Sequence, residues 1–133
     1  MSVLVVNVDG GARGNPGPAA IGVVVATRDG ELVAELGETI GVATNNVAEY
    51  RALLRGIELA REHGADEVEV FGDSELVVKQ VRGEYRVKDA GLKRLHAEAR
   101  AALAGFGSWK LNHVRRELNA RADALVNEAL DAA

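Results

Sequence analysis

Four acidic residues stand where stretches of regular structure should begin or end: Asp9, Glu49, Asp73 and Asp123. Each has a short polar or glycine-bearing companion: Asp9-Gly10-Gly11, Asn45-Asn46-Val47-Ala48-Glu49, Gly72-Asp73-Ser74 and Asn119-Ala120-Arg121-Ala122-Asp123. Four carboxylates gathered in one folded domain repel each other unless divalent cations sit between them. The pattern therefore points to a metal site serving phosphate chemistry. The donors are all oxygens, with no histidine or cysteine among them, which favours magnesium or manganese over zinc.

Each acid also has a purely structural reading. Asp73 could cap the helix that begins at Ser74. Glu49, three residues after Asn46, could close a capping box, and Asp123 could be a first-turn acid near Asn119. Asp9 could open a turn. Placement favours the site. Glu49 precedes Leu53 by one helical turn and Asp123 borders Val126, so both lie beside buried stripes. Asp9 and Asp73 end strands expected to be neighbours, where open α/β sheets put their sites.

The elements that must position these acids follow from periodicity. Residues 3–9 are β-branched and leucine-rich and predict a strand, with Val3, Val5, Asn7 and Asp9 on one face. Residues 10–18 hold both prolines of the chain among glycines and predict a loop. Strands over 20–27 and 31–40 flank Asp29-Gly30, a hairpin signal, giving an antiparallel meander. Residues 46–62 change to helical period, with Tyr50, Leu53, Leu54, Ile57 and Ala60 on one side. Val68, Val70 and Phe71 predict a fourth strand parallel to the first. Helices over 74–82 and 89–104 follow, the second with a Leu92, Leu95, Ala99 and Leu103 stripe. A fifth strand runs from Ser108 to Val114. A closing helix over 119–131 buries Ala122, Leu125, Val126, Ala129 and Leu130. The order βββαβααβα predicts an α/β fold: a five-stranded mixed sheet with helices packed against it.

Composition narrows the class. At 133 residues with no internal repeat, low-complexity tract or linker, the chain reads as one domain over 1–133. It has no cysteine, which removes disulfides, thiolate zinc sites and cysteine nucleophiles. The N-terminal Met1-Ser2-Val3-Leu4-Val5-Val6 lacks a basic n-region and a cleavage site, and is too short to span a bilayer. A cytoplasmic, monomeric protein without membrane contact is the expectation. The net charge of −4 weighs against nucleic-acid binding, but the cations are unevenly placed. Lys79, Arg82, Arg86, Lys88, Lys93 and Arg94 form one basic segment, and Lys110, Arg115, Arg116 and Arg121 another. These are either a phosphate-tracking surface or ordinary solvated faces.

Together, Val8-Asp9-Gly10-Gly11-Ala12-Arg13-Gly14-Asn15-Pro16-Gly17-Pro18, Thr44-Asn45-Asn46-Val47-Ala48-Glu49, Gly72-Asp73-Ser74 and the run His113 to Leu125 resemble type 1 ribonuclease H across essentially the whole chain. The resemblance implies hydrolysis of the RNA strand of RNA–DNA hybrids, leaving 5′-phosphate and 3′-hydroxyl ends. Asp9, Glu49, Asp73 and Asp123 match the family's four metal-binding acids, with two Mg²⁺ ions (Mn²⁺ as substitute) roughly 4 Å apart astride the scissile phosphate. Gly10, Gly11 and Asn15 match positions that approach the RNA strand and its 2′-hydroxyls, which tell RNA from DNA. Thr44, Asn45, Asn46, Ser74 and Gln80 match positions touching the hybrid, and Arg116 and Asn119 join them as expected substrate contacts. The glycine-rich loop lacks the Gly-Lys-Ser/Thr ending of a P-loop, which excludes an ATPase of that kind.

Two departures stand out. Many bacterial members carry a basic, tryptophan-bearing protrusion after the second helix. Here residues 82–91 hold no tryptophan, leaving either weaker substrate affinity or a grip supplied by the basic helix with Lys93 and Arg94. The histidine-bearing loop before the last acid is also replaced by the compact Arg115-Arg116-Glu117-Leu118, where Arg116 or Glu117 would have to assist product release or metal exchange. His113 is read as a packing residue and Trp109 as core. Two other functions share the fold: a catalytically silent hybrid-binding module, and a different metal-dependent phosphodiesterase. The four acids argue against the first, and the Asn15 and Thr44-Asn45-Asn46 readers against the second.

Overall fold

The computed structural model describes residues 2–133; Met1, included in the expected domain and N-terminal stretch, lies outside them. Strand β1 (Val3–Ala12) alternates Leu4, Val6 and Val8 into the core with half-buried Val3, Val5 and Asn7 on its other face, the period of a strand covered unequally on its two sides. It pairs antiparallel with β2 (Gly17–Thr27), which pairs antiparallel with β3 (Leu32–Ala43). The Asp29-Gly30 hairpin forms as the sequence predicts, with Gly30 at φ 88°.

Helix α1 (Asn45–Glu62) follows, then β4 (Glu67–Gly72), which lies parallel to β1 as expected. The chain continues through α2 (Glu75–Val81), α3 (Ala90–Ala104), β5 (Ser108–His113) parallel to β4, and α4 (Ala120–Ala132). The sheet order is β3-β2-β1-β4-β5. Among the described residues no helix is long and apolar enough to cross a membrane.

The helices use opposite faces of the sheet. On α1, the bare Cα of Gly56 faces the side chains of Val6, Val8 and Val23, and a methyl there would come within 2.7 Å of Val8. On the other face, Gly22 and Gly37 let the backbone of α4 approach: a Cβ would stand 2.2 Å from the Ala122 carbonyl oxygen and 2.8 Å from that of Leu125. Tyr50, Leu53, Ile57 and Ala60 are buried beneath α1, as their spacing predicts, whereas Leu54 is only half-buried. Leu92, Ala99 and Leu103 from α3 and Val77, Val78 and Val81 from α2 join the same core. On α4, Ala122, Leu125 and Val126 are buried, but Ala129 and Leu130 are only half-buried, Leu130 lining open concavities.

The structure corrects the loop expected over residues 10–18. Strand β1 continues to Ala12 and β2 starts at Gly17, because Gly10, Gly11 and Ala12 pair with Ile21, Ala20 and Ala19. Only residues 13–16 are left to turn. Asp9 is therefore inside a long strand rather than at its tip. The expected loop before α4 contains a 3-10 turn over Arg116–Leu118. His113 is exposed, not packed, and Trp109 is half-buried against the core margin instead of inside it.

Candidate active site

The three carboxylates of Asp9, Glu49 and Asp73 each offer an oxygen within 4.8 Å of the other two. Three elements bring them there. Asp9 projects from β1 on the face that carries α4, since its paired residue Gly22 also faces that helix. Asp73 follows the last residue of the neighbouring parallel strand β4. Glu49 comes from α1 on the opposite face and reaches the others past Gly10, where no side chain stands in the way. A Cβ on Gly10 would lie 2.2 Å from the Ala48 carbonyl oxygen, so only glycine permits this approach. The Gly10 amide N–H donates to the Glu49 carboxylate and fixes it.

The capping roles that competed for these acids belong to other residues. Thr44 caps α1, its hydroxyl accepting from the Val47 amide at 3.2 Å, so Glu49 closes no capping box with Asn46. Ser74 caps α2 by accepting from Val77 at 3.3 Å, which leaves Asp73 free. Buried carboxylates without a capping duty are the ones that need another partner.

Electrostatics agree. Asp9 is only 7 % exposed. Burial first, then the neighbouring Glu49 and Asp73, hold its carboxyl far above the ordinary carboxylate range. Burial and Asp73 also raise Glu49, against the pull of the Gly10 N–H and the Arg116 guanidinium. Carboxylates this close hold protons unless a cation replaces them. Three hard oxygen donors with converging charge, at the floor of a solvent-open cleft, fit a hard divalent cation such as Mg²⁺ or Mn²⁺.

The cleft has a volume of about 590 Å³ and places most of the expected residues on one surface. Gly10, Gly11, Asn45, Asn46, Ser74, Arg116 and Asp123 line it with the three acids. Asp123 faces the cleft from α4 but stands outside the 4.8 Å group. The Arg116 guanidinium lies 3.9 Å from Asp73 and is 80 % exposed, a cation poised at the rim. Asn15 and Thr44 do not line the cleft. The Asn15 side chain accepts from the Asn45 amide at 3.0 Å, and the Asn45 side chain accepts from the Ala12 amide at 2.9 Å, tying the β1–β2 turn to the start of α1.

Two of the expected substrate contacts, Gln80 and Asn119, lie away from the cleft lining and are buried. Gln80 is 5 % exposed and accepts from the Tyr50 hydroxyl at 2.7 Å. Asn119 is 2 % exposed. It donates to the Val8 carbonyl at 2.8 Å and accepts from Asn7 at 3.0 Å. The Asn119 amide is used at both ends, and the Gln80 side-chain oxygen is used by Tyr50, a buried polar group's usual state. Arg121 likewise leaves the basic segment for Glu35, with contacts of 2.6 and 3.0 Å that anchor α4 to β3. Sequence reasoning missed Arg13, Asn127 and Leu130 as cleft residues. Asn127, one helical turn after Asp123, could have been found from that spacing. Arg13 and Leu130 carried no such signal.

Comparison with known proteins assigns the fold and the family. A family model described as "Reverse transcriptase-like" matches residues 7–129. Ribonuclease HI of Halobacterium salinarum is 54 % identical over 123 residues, covering 92 % of this chain and 62 % of that protein. The chain thus spans less than two thirds of that relative's length. The crystal structure of RNase H1 from the same archaeon superposes with a TM-score of 0.97 at 51 % identity, covering 98 % of this chain and 99 % of that one. LC11-RNase H1, solved in complex with an RNA/DNA hybrid, gives 0.92 at 46 % identity, with 97 % of each chain covered. This chain belongs to the ribonuclease H family, and to its type 1 branch.

Proposed function

We propose that this protein is an endoribonuclease that hydrolyses the RNA strand of RNA–DNA hybrids, leaving 5′-phosphate and 3′-hydroxyl ends. The observation that carries the proposal is the convergence of Asp9, Glu49 and Asp73 within 4.8 Å on the cleft floor. Asp9, Glu49 and Asp73, with Asp123 from the α4 side, would hold two Mg²⁺ ions, or Mn²⁺ in their place. When bound, these ions neutralise the scissile phosphate, lower the pKa of the attacking water and stabilise the leaving 3′-oxygen.

The chain's own residues supply position. Gly10 holds Glu49 through its N–H, so the carboxylate needs no reorganisation when substrate arrives. Arg116 offers a fork of donors to a phosphate beside Asp73. Gly11, Asn45 and Asn46 present a narrow polar wall to the RNA strand and its 2′-hydroxyls, and Ser74 meets the backbone. Asn15 and Thr44 act one step back, by holding Asn45 and the first turn of α1 in place. Water is the nucleophile, so no side chain forms a covalent intermediate. The proposal includes a monomer acting in the cytoplasm as a single ribonuclease H domain.

The test is a cation titration against labelled RNA–DNA, RNA–RNA and DNA–DNA duplexes of one sequence. Cleavage confined to the RNA strand of the hybrid, and dependent on Mg²⁺ or Mn²⁺, is expected. Cutting of DNA–DNA with equal efficiency, or hybrid binding without any cleavage, would point to the phosphodiesterase or the silent binding module.

A further inference from the structure

The cleft that holds four acids is lined by only two cations among the described residues, Arg116 and Arg13. Arg116 stands beside Asp73. Arg13 stands at the opposite end, on the turn between β1 and β2, where its guanidinium pairs with Asp131 near the end of α4 at 2.6 Å. Arg13 and Leu130 line both the acidic cleft and a second concavity of about 500 Å³ between the β2–β3 edge and the end of α4. They form the sill between the two. A strand laid across the acids and continuing in that direction must cross it.

Nothing in the turn needs the Arg13 side chain. The turn is already held by the Arg13 amide donating to the Pro18 carbonyl at 2.8 Å, and by the Asn45 contacts to Ala12 and Asn15. Nor is the ion pair a strong one. Its partners are 49 % and 68 % exposed, a setting in which water screens the attraction. Asp131 sits near the C-terminal end of α4, where the helix dipole disfavours an anion and a borrowed cation offsets it. The pair is therefore easily exchanged. A phosphate offers the guanidinium a bidentate, charge-assisted partner in place of the carboxylate.

We infer that Arg13 is a further substrate-positioning residue, which leaves Asp131 to bind a phosphate of the nucleic acid beyond the scissile one. Asp131 is then a latch that keeps the cation parked across the sill until a polyanion arrives. The inference rests on the hydrolase reading above only for the identity of the polyanion.

The test compares the parent with Arg13→Gln, Arg13→Lys and Asp131→Asn, each measured twice. Steady-state kinetics on an RNA–DNA hybrid use the otherwise native protein. Hybrid binding across a KCl series uses an Asp73→Asn background, which keeps binding separate from cleavage. Arg13→Gln should weaken binding by about fivefold, raise KM in proportion, leave kcat within about twofold, and flatten the salt slope by about 0.9, the value of one lost phosphate contact. Arg13→Lys should keep the salt slope and recover part of the affinity. Asp131→Asn should tighten binding about twofold, a gain that disappears when Arg13→Gln is added. Unchanged affinity and slope in Arg13→Gln would overturn the inference. So would an Asp131→Asn that weakens binding as much as Arg13→Gln does, since the pair would then be structural. A parent that binds hybrid without cutting it would sink the hydrolase reading while the salt slopes still decide on Arg13. A parent that binds no hybrid overturns both.

Discussion

Replacing Asp9 with asparagine should make the metal-free protein more stable, the opposite of what removing a buried charged side chain usually does. Asp9 offers an oxygen within 4.8 Å of oxygens on Glu49 and Asp73. Two unit charges at that separation repel by about 3.5 kcal/mol at an effective dielectric of about 20. Protonation and the open cleft relieve part of this, so a net gain of about 2 kcal/mol is the working figure for Asp9→Asn near pH 8. For a chain of 133 residues, an unfolding entropy of about 2.1 cal/mol/K per residue turns that into a Tm rise of about 7 °C.

The pH dependence has a definite sign. Asp9 is raised above its ordinary value of 3.8, so the folded state binds more protons than the unfolded one as pH climbs past that value. The favourable contribution is complete below the ordinary value and is lost progressively above it. The gap between variant and parent should thus be near zero at pH 4 and largest at pH 8. Thermal melts in EDTA at one-unit pH steps read it directly. A variant that melts at or below the parent at pH 8, or a gap that does not change with pH, would refute the repulsion argument.

Three further outcomes follow from the same contacts. Millimolar Mg²⁺ or Mn²⁺ should raise the parent's Tm more than NaCl of equal ionic strength, and should do so less for Asp9→Asn, since a ligand of the folded state alone stabilises by mass action; a thermal-shift scan with both salts checks this. Gly10→Ala should lower stability by about 3 kcal/mol in urea denaturation because its methyl would enter the α1 backbone, whereas Gly11→Ala, whose methyl would sit 3.6 Å from Val126, should change it by less than about 1 kcal/mol. Lys88 has no acidic partner among the described residues, and Arg94 meets only Glu98 at 3.7 Å. Reversing both charges should raise KM for the hybrid severalfold, spare kcat, and lower the salt slope of binding by about one unit per contact.

Much of the fold was legible because its cues are local. The change from period two to helical period at α1 and the Asp29-Gly30 turn each depend on a few neighbouring residues. What stayed hidden depends on partners distant in sequence. Gly10-Gly11-Ala12 reads as a loop by composition, and becomes strand only because residues 19–21 pair with it. Of the site, the three clustered acids and the Asn45-Asn46 wall could be read from motifs. The burial of Gln80 and Asn119 could not, since it depends on Tyr50, Asn7 and Val8, up to 112 residues away. Whether Arg121 tracked phosphate or was merely solvated could not be read locally, since its partner Glu35 comes from β3, 86 residues away.

The most direct measurement follows the fate of a 5′-labelled RNA strand annealed to DNA, in Mg²⁺, with the parent, Asp73→Asn and Glu49→Gln side by side. The parent should cut the RNA strand and leave 3′-hydroxyl ends, while both variants, folded by circular dichroism, should lose at least about 10²-fold in rate. Cleavage by either variant near the parental rate, or parental cleavage that persists in excess EDTA, would contradict a cation-dependent reaction at Asp9, Glu49 and Asp73.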